Sequence, residues 1–303
     1  MSASASSTDQ VRLPAIAGTF YPGDPAVLAH RVDTLLRQAA EGVAGMARLG
    51  VGGPVGLVVP HAGIAYSGAV AAAGWAAFRA RPPDTVVIAG TNHRAAGLRG
   101  IAVWPDGAWR TPLGDTSIDD VLAARIVALG GPFAIDRESH RDEHSIEVQL
   151  PFLTRACPSS RLVPLLVSCA SVQACVSAGE ALGRLLAKLL AEGSSVALVA
   201  SSDFAHYPDE RDAREVNRRL VPLISRLDPE AVAGEEDALR RSTIRGLACG
   251  LCGLEPVLFA LGAFRAMGLA PGQLLAEATS ADVPGGDPFR TVGYATIAFG
   301  AAA

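Results

Sequence analysis

The chain has 303 residues, 50% of them hydrophobic and 18% charged, which supplies enough apolar surface for one large α/β domain. Its formal net charge is −4 and its pI about 5.9. With no long Lys/Arg run and no interleaving of basic and aromatic residues, that balance argues against nucleic acid as a partner.

In chain order, residues 1–10 are small and polar and read as a disordered tail. They carry neither the basic nor the apolar region of a signal peptide. Residues 11–303 read as one domain. Val55–Val59, Thr85–Ala89, Leu162–Val167 and Ser195–Ala200 are short runs rich in Val, Leu or Ile. Continuous apolar runs of this length predict strands covered on both faces. Between them lie segments of helical character: Ser67–Arg79, Ile118–Leu129, Ser171–Glu192, Arg211–Arg226 and Pro256–Met267. A last strand, Thr291–Phe299, follows a turn at Pro284–Pro288. The alternation predicts an α/β fold, a single domain with a mostly parallel central sheet flanked by helices. Gly50–Gly53 reads as a short loop and Thr111-Pro112-Leu113-Gly114 as a turn before a helix. Trp104 and Trp109 flank a loop, where lining a pocket and filling the core are both open. The most apolar stretch, Leu247–Phe264, is broken by glycines, Glu255 and Pro256, so it predicts a loop leading into a buried helix and no membrane span. The expectation is a soluble, cytoplasmic protein. Five cysteines without a regular framework fit free thiols in a reducing compartment, with Cys157, Cys169 and Cys175 structural.

Three predicted strands share one feature at their ends. Val55–Val59 runs into Pro60-His61-Ala62-Gly63, Thr85–Ala89 into Gly90-Thr91-Asn92-His93, and Ser195–Ala200 into Ser201-Ser202-Asp203-Phe204-Ala205-His206. Parallel strands place their carboxyl ends on one edge of the sheet, so His61, His93 and His206 converge by topology into a metal-type site. Asp203 can orient an imidazole, bind metal or cap a helix. A second cluster, Ser139 to Glu147, places His140, Glu143, His144 and Glu147 on one face if it is helical, with Pro151 ending that helix. His140, Glu143 and His144, together with Asn92, then form a polar pocket wall. The string His140-x-x-Glu143-His144 also fits the inverted zinc-peptidase pattern, a sharp alternative that needs a third ligand. The third cluster is Cys249-Gly250-Leu251-Cys252, directly before a predicted helix, where a thiol is readied as nucleophile, metal ligand or redox partner.

Taken together these motifs resemble the Memo family, whose bacterial members are called AmmeMemoRadiSam system protein B. The matching pieces are Ala17-Gly18-Thr19-Phe20-Tyr21-Pro22, Pro60-His61-Ala62-Gly63 with Tyr66-Ser67-Gly68, Gly90-Thr91-Asn92-His93 and Thr111-Pro112-Leu113-Gly114. They continue with Glu143-His144-Ser145-Ile146-Glu147, Leu150-Pro151-Phe152, Ser201 to Tyr207, and Cys252-Gly253-x-x-Pro256. The resemblance implies a fold similar to class III extradiol dioxygenases, which are non-haem iron(II) enzymes. It implies metal-binding positions at His61, His93 and Cys252, with Asp203 and His206 bordering the same pocket as catalytic groups. A thiolate stands here where those dioxygenases complete a two-His-one-carboxylate set, and Cys249 or Glu255 remains open as a contributor. Iron(II) is the first expectation for the cofactor, with copper or zinc open. The resemblance further implies either a metal-dependent oxidoreductase acting on a small molecule or a binding adaptor of the phosphotyrosine-peptide kind on a vestigial enzyme fold. An Ammecr-type protein and a radical SAM enzyme are the partners it suggests.

Overall fold

A computed structural model describes residues 11–43 and 53–302. The expected tail at 1–10 and most of the Gly50–Gly53 loop lie outside the described residues.

The elements run β1 (Val11–Arg12), α1 (Pro25–Val43), β2 (Pro54–Val59), α2 (Ile64–Phe78), β3 (Thr85–Thr91), β4 (Gly100–Val103), β5 (Ala108–Thr111) and β6 (Gly114–Ser117). Then follow α3 (Asp120–Val127), β7 (Phe133–Ile135), α4 (Leu150–Ala156), β8 (Arg161–Ser168), α5 (Val172–Ala191) and β9 (Val196–Ser201). The chain closes with α6 (Glu210–Ser225), α7 (Pro229–Arg240), α8 (Leu254–Ala266), β10 (Gln273–Thr279) and β11 (Gly293–Gly300).

Eight strands form the main sheet in the order β10-β11-β2-β9-β3-β8-β4-β7. The central four, β2, β9, β3 and β8, are parallel to one another. Antiparallel pairs flank them at β10–β11, β11–β2 and β8–β4, so the sheet is mixed and the parallel expectation holds for its middle. The strands there alternate between two cores, as a period of two requires. Val58, Val87 and Ala89 pack with α3, α5, α6, α7 and α8, whereas Leu57, Val59, Val86 and Ile88 pack with α1, α2 and α4. Both faces are covered, which is why these strands read as unbroken apolar runs.

The tightest helix contact joins α5 to α8. A Cβ at Gly179 or Gly183 would overlap the backbone of Phe259 or Ala263, so only glycine lets the two helices come this close. Phe259, Leu261 and Phe264 of α8 are fully buried, each contributing roughly 1.5–3 kcal/mol by removal of apolar area from water. Among the described residues, no helix is long and apolar enough to cross a membrane.

Three local expectations are corrected. Residues 139–147 do not form a helix: single 3₁₀ turns at Glu138–His140 and Glu147–Gln149 bracket a non-helical stretch. Pro151 sits in the first turn of α4 and starts that helix, where its missing N–H leaves no gap. Thr111–Gly114 turns the β5–β6 hairpin and does not precede a helix.

Candidate metal centre

Because β2, β9 and β3 are adjacent and parallel, their carboxyl ends meet on one edge. His61 follows the end of β2 and is almost wholly buried. Its Nδ1 lies 3.1 Å from the Ser201 hydroxyl at the end of β9. That hydroxyl donates to the Ser145 carbonyl at 2.7 Å and accepts from Gln149 Nε2 at 3.1 Å. Its only hydrogen is therefore committed, so it accepts from His61 Nδ1–H and leaves the lone pair on Nε2. Burial, with the neighbouring His144 and His93 adding to it, depresses the His61 pKa and keeps the ring neutral.

His93 is oriented by Glu143. The His93 Nδ1 stands 2.9 Å from Glu143 Oε1, and the His93 backbone N–H donates to Oε2 at 2.7 Å. The same carboxylate accepts the N–H groups of His144 at 2.8 Å and Ser145 at 2.9 Å. Burial pushes the Glu143 carboxyl up, yet hydrogen bonds from His144 and His93 outweigh it and hold the group well below the usual carboxylate range. A carboxylate behind Nδ1–H turns the basic Nε2 forward, an arrangement typical of metal-bound imidazoles. His144 Nδ1 is also 3.2 Å from Glu143, and its ring stacks on His93 with centroids 4.4 Å apart.

Cys252 comes from the loop before α8. Glu236 of α7 holds that loop by accepting the N–H groups of Gly250 at 2.9 Å and Leu251 at 3.0 Å. Gly253 N–H donates to Ser202 Oγ at 2.9 Å, and a Cβ at Gly253 would overlap Thr91 Oγ1 and Ser202. The loop thus lies flat on the strand ends, with Cys252 Sγ 3.2 Å from His61 Nε2. Burial, then the Asp203 carboxylate, pushes the Cys252 thiol well above its ordinary pKa.

Asp203 stitches β9 to β2. Its Oδ1 accepts the N–H groups of His61 at 2.6 Å and Ala62 at 3.1 Å. Burial raises its pKa, partly offset by His206 and by those backbone donors. His206 Nδ1 lies 2.8 Å from the Phe204 carbonyl and must donate to it, which again leaves Nε2 as the base.

The donor atoms of His61, His93 and Cys252 lie within 4.8 Å of one another, as do those of Asp203, His206 and Cys252 and those of His93, Glu143 and His144. Two imidazole nitrogens and a sulfur whose proton a cation displaces form a chemically coherent ligand set. His61 and His93 open onto a cavity of about 530 Å³ whose walls include Phe20, Tyr66, His144, His206, Tyr207 and Tyr294.

The sequence profile of the Memo-like protein family matches residues 12–298. The chain belongs to the Memo family. A MEMO1 family protein of Methanopyrus kandleri is 37% identical over 300 residues, covering 95% of this chain and 98% of its own. Another from Thermotoga maritima is 37% identical over 288 residues, covering 93% and 97%. A third, from Methanothermobacter thermautotrophicus, is 33% identical over 293 residues, covering 95% and 99%.

In this Memo-family chain the expected site residues separate into two groups. His61, His93, Cys252, Asp203, His206, Glu143 and His144 come together. His140 does not: it is fully buried between Trp104 and Trp109, with Nε2 3.0 Å from the Ala102 carbonyl. The His140–His144 peptidase pair fails for the same reason, since without a helix the two rings do not share a face. Asn92 turns back on Ala95, donating at 2.9 Å and accepting at 2.8 Å, and lines no part of the cavity. Asp203 orients the backbone of His61 and Ala62, while the Phe204 carbonyl orients His206; neither is a helix cap, that role belonging to Asp209 at α6. Cys249 and Glu255 stand outside all three donor clusters. Sequence reasoning missed Ser201, Gln149 and Glu236, which hold the donors in place. Ser201 alone carried a signal, its position at the end of an apolar run.

Proposed function

We propose that this Memo-family chain binds one transition-metal ion through His61 Nε2, His93 Nε2 and Cys252 Sγ and acts as an oxidoreductase on a small molecule held in the adjoining cavity. Iron(II) is the first assignment and copper the second, because thiolate and imidazole suit softer and intermediate ions. The observation that carries this reading is the convergence of the three donor atoms within 4.8 Å from three separate segments, with both imidazole tautomers already set. A bound ion of this kind supplies a redox couple and open coordination positions. The chain supplies the rest. His206 offers Nε2 as a base facing the cavity and takes a proton from a substrate hydroxyl. Asp203 fixes the backbone of the His61 loop and keeps a carboxyl within 4.8 Å of the His206 and Cys252 donors. Phe20, Tyr66 and Tyr294 give that cavity aromatic walls on which a flat substrate can pack.

Anaerobic purification followed by elemental analysis tests the reading. Wild type is expected to hold about one iron or copper per chain, and the His61→Ala/Cys252→Ser double variant close to none. Circular dichroism checks that the variant is folded. Equal metal in both sinks the proposal.

A further inference from the structure

His61 and His93 line the cavity, and so does the loop between β10 and β11. That loop is closed at its base, where Ser280 N–H donates to the Val292 carbonyl at 2.8 Å and Val292 N–H to Ser280 Oγ at 2.9 Å. It is also tied to the His206 segment. Tyr207 N–H donates to the Thr291 carbonyl at 2.7 Å, and Glu210 N–H to the Pro288 carbonyl at 2.8 Å. Tyr207 holds a left-handed backbone, φ 74°, which is unusual for a residue with a bulky side chain and puts its ring under the loop. The Arg290 guanidinium lies over that ring, 4.2 Å from its centroid.

Arg290 is the one Lys or Arg lining the cavity among the described residues. Among the described residues no carboxylate pairs with it, and its guanidinium rests on the Tyr207 face. A guanidinium stacked by its face keeps its edge N–H donors free, in the fork that matches a carboxylate. The same cavity has aromatic walls at Phe20, Tyr66, Tyr207 and Tyr294. Such walls suit a flat ring. Two acids also face the cavity, Asp287 on the same loop, where it accepts the Phe289 N–H at 2.8 Å, and buried Asp203. They oppose a dianion more than a monoanion.

We infer that Arg290, perched on Tyr207, is a specificity-determining residue that selects an aromatic substrate carrying a carboxylate. This rests on the cavity being the substrate site of the proposed oxidoreductase. Four probes test it by calorimetry on anaerobically purified protein: 4-hydroxybenzoate, its neutral isostere 4-hydroxybenzamide, cyclohexanecarboxylate and phenyl phosphate. The acid is expected to bind about tenfold tighter than the amide, the scale of one charge-assisted hydrogen bond, and tighter than the non-aromatic acid. Arg290→Leu removes the preference for acid over amide, and Arg290→Lys retains part of it; circular dichroism verifies both folds. Equal binding of acid and amide by wild type, or an undiminished preference in Arg290→Leu, overturns the inference. Tighter binding of phenyl phosphate than of 4-hydroxybenzoate overturns the carboxylate assignment. Metal content of the same samples reports separately on the metal proposal. A metal-loaded wild type without acid preference defeats only the substrate inference, and a metal-free wild type with an Arg290-dependent preference defeats only the metal reading.

Discussion

Glu143 holds His93 at two points, taking the ring Nδ1–H at 2.9 Å on one oxygen and the backbone N–H at 2.7 Å on the other. One buried carboxylate therefore sets both the tautomer and the position of a metal-donor imidazole.

Replacing Glu143 with Gln keeps the shape and removes the charge, and the amide brings N–H groups to where four donors already converge. Metal affinity is expected to fall 10- to 100-fold or so, the usual cost of losing a carboxylate behind a ligand histidine. Stability is expected to drop by about 2–3 kcal/mol through unsatisfied buried donors. Competition with a chromophoric chelator measures the first and urea unfolding the second. Unchanged metal affinity would show that Glu143 is not orienting the ligand.

His140 makes stability depend on pH. Burial pushes its pKa down to about 4 from a normal 6.5, and its Nδ1 has no partner among the described residues. The unfolded chain then binds a proton that the folded chain refuses between those two values, so stability rises with pH across that window. The contribution is complete above about pH 6.5 and is lost as pH falls toward 4, a swing of about 3 kcal/mol. In His140→Gln that component disappears. The measurement is the difference in unfolding free energy between pH 7 and pH 4.5 for wild type minus variant; a difference near zero refutes it.

Gly253→Ala places a methyl against Thr91 Oγ1 and Ser202, beneath the Cys252 loop. Overpacking of this kind costs roughly 1–3 kcal/mol, and the loop is expected to relieve it by lifting Cys252 away from His61. Metal content should fall well below wild type while the thermal midpoint shifts by only a few degrees. A variant with full metal loading argues that the close seating of this loop is not needed.

Arg12 lies buried against Glu147 at 2.6 Å, also donating to the carbonyls of His140 at 2.8 Å and Glu143 at 2.5 Å. Arg12→Met strands the Glu147 carboxylate with only Tyr21 and the N–H groups of Ala15 and Ile16 as donors. The loss is expected to be about 3–5 kcal/mol, as for other broken buried ion pairs. Denaturant unfolding at pH 7 reads it directly, and a loss under 1 kcal/mol contradicts the role.

The strands that carry His61, His93 and Asp203 were legible because burial on both faces forces an unbroken apolar run, and their order along one edge then follows from parallel pairing. The Ser139–Glu147 stretch misled because histidines and glutamates three and four apart mimic a helical face, while 3₁₀ turns touch only its two ends and residues 141–146 between them are non-helical. β10 escaped notice since this outer strand is only half covered and never presents a continuous apolar run. Glu236 and Arg290 carry no local pattern at all: each acts on a segment distant in sequence, and only tertiary packing brings them to the site.

The contact between His61 and Cys252 spans 191 positions along the chain. Strands β3, β8 and β9 all lie between the two residues in sequence, so the contact joins segments made far apart in time. During synthesis the two imidazoles exist long before their sulfur partner leaves the ribosome. The proposed set of two imidazoles and a thiolate is therefore complete only once the Cys252 loop has docked on the strand ends.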